Sequence, residues 1–168
     1  MKDYILLLPI IFIFHDMEEI IGFGWFFRKN PEMFSLHPKL TNAYRGFTNE
    51  GFVIAVYEEF IPFFGLSLLA YYFPCKLLYA IWFGMLSALT GHFAAHILIC
   101  IYVRKFIPSL ITTVICLPVC LLILAKTAVF LTFDAFTVTA VISSVIGLMI
   151  NMKLGHKMMS AVGKYFTT

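Results

Sequence analysis

Charge is what this chain has least of. Asp, Glu, Lys and Arg supply 12% of its 168 residues, against 61% hydrophobic and 17% aromatic residues, a balance that excludes an ordinary soluble domain and a disordered segment alike. The formal net charge is only +3. Its basic residues stand in short clusters between apolar runs, so they read as markers of membrane orientation and leave no nucleic-acid surface. Cysteine is sparse too. Of four cysteines, Cys100, Cys116 and Cys120 fall inside apolar runs and only Cys75 stands near a boundary, which excludes a disulfide framework. There is no internal repeat. No small-residue cleavage site follows the apolar N-terminal stretch, and charge arrives at residues 15–19, so the stretch is expected to be a retained first helix and not a signal peptide.

What the chain does have is long apolar runs. Stretches near the roughly 20 residues needed to cross a hydrocarbon layer occur at about 4–27, 50–73, 77–103, 109–132 and 136–152. They predict an all-α membrane protein, a single domain over 1–168 built as a bundle of about five transmembrane helices. Arg28 to Thr48 is expected to be a loop or a short interfacial helix, and the basic tail 153–168 a helix lying on the membrane surface. Alternating five spans puts Arg28, Lys29, Lys39, Arg45, Arg104, Lys105, Lys153, Lys157 and Lys164 on one side, with only Lys2 and Lys76 on the other. The positive-inside rule then places the N-terminus outside and the C-terminus in the cytoplasm, and the short loops fit a cell inner membrane. Lys126, inside the fourth run, is expected to snorkel towards Asp134.

Against this background His15-Asp16-Met17-Glu18-Glu19 is costly. A carboxylate at the centre of a bilayer is penalised by roughly 2.5–3.5 kcal/mol on insertion scales, and such residues mark functional sites. On a helix, His15, Glu18 and Glu19 share one face, because positions i, i+3 and i+4 do; Asp16 stands at its flank. The second run adds Glu58 and Glu59, with Pro62 four residues on from Glu58 and so leaving that carbonyl without its helical donor. The third adds His92 and His96 at i and i+4, the spacing by which one helix face offers two nitrogens to one metal. Counted from the ends taken as cytoplasmic, all these groups lie about 10–17 Å deep at 1.5 Å per residue. Like charges at one depth without a basic partner must be protonated or neutralised by cations. A divalent metal ion, or two, satisfies the layer best; shared protons are the alternative. Imidazole with carboxylate suits zinc or iron, and manganese is also open. The expected ligands are His15, Glu18, Glu58, His92 and His96, which leaves Glu19 or Glu59 for general acid–base work.

The first run, with its motif His15-Asp16-Met17-Glu18-Glu19, resembles the HXXEE membrane-domain family. That family carries a further histidine, for which either His92 or His96 is suited, and a Tyr-x-Pro-Gly motif matched loosely here by Phe106-Ile107-Pro108-Ser109. The resemblance implies enzymatic character without naming a substrate.

The charged layer is walled by Phe, Leu and Ile with no evident polar channel, so the expected function is a metal-dependent membrane enzyme acting on a lipid or other apolar substrate. Hydrolysis is favoured over oxidation because zinc with one carboxylate base is the simplest arrangement. The competing expectation is cation or proton transport through the same groups; a third is a subunit whose buried acids pair with a partner's bases. Membrane lipids are the expected surroundings, and the oligomeric state is open.

Overall fold

Pro9 marks the start of the first long helix. In the computed structural model, which describes residues 1–166, a four-residue helix α1 (Lys2–Ile5) yields at Leu6 to α2 (Leu7–Lys29). Pro9 falls in the first turn of α2, where a backbone N–H has no helical acceptor to lose. The carbonyl of Ile5, four residues earlier, is thereby left without a helical donor. The fully buried Trp82 indole N–H donates to it at 2.9 Å, tying the N-terminal kink to a helix far along the chain.

The polar segment after α2 folds into α3 (Met33–Leu36), α4 (Pro38–Thr41) and a 3-10 turn over Asn42–Tyr44. Tyr44 and Phe47 pack edge-on against Phe23, with ring centroids 5.4 and 6.4 Å away, and hold this segment against the bundle. Thr48 then caps α5 (Asn49–Tyr72), accepting from the Gly51 N–H at 3.0 Å. Next come α6 (Lys76–Val103), α7 (Leu110–Ala128) and α8 (Ala135–Phe166).

The five long helices pack in a ring, α2 against α5, α5 against α8, α8 against α6, α6 against α7, and α7 back against α2. Small residues set the closest approaches: a Cβ on Gly84 of α6 would lie 2.6 Å from the Val141 carbonyl oxygen of α8. Segments at one end are tied by Lys105, which reaches Asn30 and Glu32 at 2.7 and 2.8 Å. At the other end Lys76 pairs with Asp134.

Among the described residues all regular structure is helical, and four helices, α5 to α8, are long and apolar enough to cross a membrane. At 23 residues α2 is long enough, but Asp16, Glu18 and Glu19 interrupt its apolar character. Two further expectations are corrected. The tail is no separate surface helix, since α8 runs without a break from Ala135 to Phe166; Thr167 and Thr168 lie outside the described residues. Asp134 takes Lys76 and not Lys126, which is exposed on α7. Asp134 also accepts from the Thr137 N–H at 3.0 Å and so caps α8, a position that Lys76 at the start of α6 can reach.

Two outcomes follow from these contacts. Trp82→Phe leaves the buried Ile5 carbonyl unpaired and should cost about 1–3 kcal/mol, read from unfolding of the detergent-solubilised protein. The Lys76 ammonium, helped by the Thr137 N–H, holds the Asp134 carboxyl down at about 2. Its contribution to stability is therefore present above the ordinary carboxylate range and is lost as pH falls towards about 2. Lys76→Ala should raise the Asp134 titration midpoint in 13C NMR.

Candidate metal centre and its cavity

Four side chains converge between α2 and α6. His15 and Glu19 stand one turn apart on α2, His92 and His96 one turn apart on α6, and their donor atoms all lie within 4.8 Å of one another. His96 Nε2 is 2.7 Å from His92 Nε2 and 3.1 Å from Glu19 Oε1, while His15 Nε2 is 3.6 Å from the same Glu19 oxygen. The His15 ring is fully buried, and its centroid lies 4.6 Å from that of Phe93.

The turn between α6 and α7 decides how these rings are oriented. α6 ends at Arg104 in the left-handed region, and Ser109 before α7 has φ 103°. A side chain in that region is strained by about 1–3 kcal/mol and is retained where its surroundings hold it. Here the buried Ser109 hydroxyl lies 3.0 Å from His96 Nδ1. With Ser109 turned to His96, the first-turn N–H groups of α7 need another acceptor. Glu18 provides it: its carboxylate accepts from the N–H groups of Ile111 and Thr112 at 3.3 and 2.7 Å and from the Thr112 hydroxyl at 2.6 Å. A carboxylate is favoured at that helix end by the macrodipole as well.

Proton accounting across Thr112 then fixes the tautomer of His15. The Thr112 hydroxyl has one proton and gives it to Glu18, so towards His15 Nδ1, 3.0 Å away, it can only accept. The neutral ring therefore carries its proton on Nδ1, and Nε2 presents a lone pair to Glu19. Both His15 Nε2 and Glu19 Oε1 are buried without a hydrogen-bond partner. Two acceptors facing each other in an apolar interior call for a shared proton or a metal ion between them.

A metal ion fits the donor set. Tetrahedral bonds of about 2.0–2.2 Å to nitrogen and oxygen put neighbouring ligand atoms about 3.4 Å apart; here the contacts His92–His96, His96–Glu19 and His15–Glu19 are 2.7, 3.1 and 3.6 Å, and all four ligand atoms lie within 4.8 Å of one another. The hydrogen bonds to Nδ1 of His15 and of His96 are the outer-shell contacts that hold ligating imidazoles in place.

Not every expected residue belongs to this group. His15, His92 and His96 are brought together, and Glu19, expected to be a base, joins them. Glu18 and Glu58, expected as ligands, stand apart. Glu18 is drawn off to cap α7, and Glu58 is half-buried at the other side, accepting from the Asn151 amide at 3.2 Å. Among the described residues Glu59 has no hydrogen-bond partner, and it lines a cavity of about 470 Å³ beside the cluster. Asp16, Glu19, His92, Tyr44 and His156 line it as well. The Tyr44 phenol is pushed above its ordinary value, by burial first and then by the Glu19, Glu59 and Asp16 carboxylates, and keeps its proton. Ser109 and Thr112 escaped the sequence reading; the one signal for them was the proline-containing turn at Phe106-Ile107-Pro108-Ser109.

Residues 6–123 match the family described as a protein of unknown function with HXXEE motif, and the chain belongs to that family. No curated protein and no solved structure matches it. The motif acquires a physical reading from the contacts above: its histidine and last glutamate are in the cluster, and its first glutamate orients that histidine through Thr112. Ser109, at the end of the Phe106-Ile107-Pro108-Ser109 turn, has φ 103°, a conformation glycine adopts without strain.

Long-range 1H–15N spectra of the purified protein should find the neutral His15 ring protonated on Nδ1 and bare on Nε2. Thr112→Val should abolish that preference. A proton found on Nε2 in the wild type would overturn the assignment.

Proposed function

For this member of the HXXEE family we propose a metal-dependent integral membrane enzyme that acts on a lipid or other apolar substrate, with hydrolysis favoured over oxidation. The observation that carries the reading is the convergence of three imidazole nitrogens and one carboxylate oxygen, two of them buried acceptors without a partner. In this reading α2 crosses the membrane as a fifth helix. Its acids are then accommodated by the α7 N-terminus and by the cation, which lowers the cost of placing them there. The basic end of the bundle faces the cytoplasm, with the N-terminus outside, as the positive-inside rule requires.

Zinc or iron held by His15, His92 and His96 would supply a Lewis acid and a bound water acidic enough to be deprotonated near neutral pH. Glu19 is the anionic member of the group and also lines the cavity, so it serves as a fourth ligand or as the base for that water. His92 lines the same cavity and connects the cluster to whatever occupies it. Thr112 and Ser109 hold the His15 and His96 rings, and Glu18 holds Thr112. The cavity walls exclude bulk water, which strengthens every electrostatic contact inside.

Elemental analysis of protein purified without added metal should find about one ion per chain. His15→Ala, His92→Ala and His96→Ala should lose it, while Glu58→Gln should keep it. Thr112→Val should weaken metal affinity about 10–100-fold. A folded wild type without stoichiometric metal would sink the proposal. With metal present, incubation with a total lipid extract should change a lipid species, and Glu19→Gln should abolish the change. Unaltered lipids together with metal flux into vesicles would point to transport instead.

A further inference from the structure

The cavity beside the cluster has two carboxylates that the metal site does not use. Asp16 is 6% exposed, yet its Oδ2 has no hydrogen-bond partner, and Glu59 lines the same cavity from α5, with no hydrogen-bond partner among the described residues. The structure keeps room for the second of these: a Cβ on Gly155 of α8 would lie 2.7 Å from Glu59 Oε1. No lysine or arginine lines the cavity. Among the described residues, the one group of three or more converging metal-ligand side chains is His15, Glu19, His92 and His96, and Asp16 and Glu59 are not part of it.

Beyond these acids the polar lining is Glu19, Tyr44, Ser87, His92, Asn151 and His156, and the remaining wall is apolar. Phe12 and Phe63 stack with ring centroids 4.4 Å apart, and Val56, Leu148 and Met149 extend the surface. Gly91, Ala95 and Met149 line the cavity and are exposed on the outer face of α6 and α8, and a Cβ added at Gly91 would meet nothing within 4 Å. The cavity therefore opens sideways between two helices apolar enough to lie in a membrane. Its volume of about 470 Å³ is in the range of small-molecule sites, about 300–1,000 Å³.

We propose that this cavity binds a single-chain amphiphile with a primary or secondary ammonium headgroup, the headgroup lying between Asp16 and Glu59 and the chain along Phe12, Phe63 and Met149. An ammonium brings the charge and the N–H donors that the buried Asp16 and the half-buried Glu59 lack. A fatty acid would add a third anion, and an alcohol would leave the charge unbalanced. The proposal deepens the enzyme reading by naming its substrate class and rests on that reading for the role of the cavity.

The test is binding of hexadecylamine, hexadecanol and hexadecanoate to the full-length protein in a neutral detergent, followed by native mass spectrometry and by competition against a fluorescent alkylamine. Hexadecylamine should be retained at one per chain and at least about tenfold tighter than the alcohol, a difference of about 1.4 kcal/mol; hexadecanoate should not be retained. Asp16→Asn and Glu59→Gln should each bring the amine down to the level of the alcohol while leaving metal content unchanged. Glu59 has no hydrogen bond to lose, so its variant keeps the test valid should Asp16→Asn fail to fold. Equal retention of the three probes, or amine binding indifferent to both variants, would overturn the proposal. Amine binding by a protein without metal would leave it standing and remove the metalloenzyme reading; bound metal without amine binding would do the reverse.

Discussion

One hydroxyl group has to satisfy two neighbours, and the geometry of the histidine–glutamate cluster follows from how it does so. Thr112 has a single proton. It is given to Glu18 at 2.6 Å, and the oxygen is then an acceptor for His15 Nδ1 at 3.0 Å. The ring tautomer, the direction of its free lone pair and the mismatch with Glu19 are all consequences. The same carboxylate that drives Thr112 also takes the place of an N-cap on α7, because Ser109 is turned to His96. Capping of one helix and orientation of two histidines are thus parts of one arrangement, and removing either member disturbs both.

Each acid in the two acidic pairs and at Asp16 meets a different solution to the same problem. Glu18 is satisfied by backbone and hydroxyl donors and Glu58 by the Asn151 amide, while Glu19 stands among the histidines with its Oε1 3.1 Å from His96 Nε2 and without a hydrogen bond. Asp16 and Glu59 remain, and they share one cavity. A charged group inside a low-dielectric region is tolerated only with a partner, so the two without one mark where something outside the chain has to enter. The exposed glycine and alanine at the mouth between α6 and α8 let it enter from the side.

The helical architecture was legible because apolar run length alone separates membrane-spanning segments from loops. Four of the runs correspond to helices long and apolar enough to cross a membrane, and the run containing His15 to Glu19 is the helix α2. Pro74 and Pro108 lie outside the helices they border, where a missing backbone N–H costs no helical hydrogen bond. The continuity of α8 through the tail was missed because polarity there changes along the axis and not at a breaking residue, and nothing local stops the helix.

For the site, the sequence by itself determined which residue types share a face: His15 with Glu19, and His92 with His96, each pair at i and i+4. That spacing is intrinsic to one helix and needs no neighbour. Only the tertiary structure decided which acid joins the histidines. Glu18 and Glu19 differ by a rotation of about 100° around α2, and the packing of the α6–α7 turn against that helix assigns one to the α7 N-terminus and the other to the cluster. Thr112 stands 97 positions from its partner His15 on α2, and Ser109 13 positions from its partner His96 on α6, and no local pattern foretells hydrogen bonds of that sequence separation. Helix packing, which is set by small residues at a few crossings such as Gly84 against Val141, brings them into register.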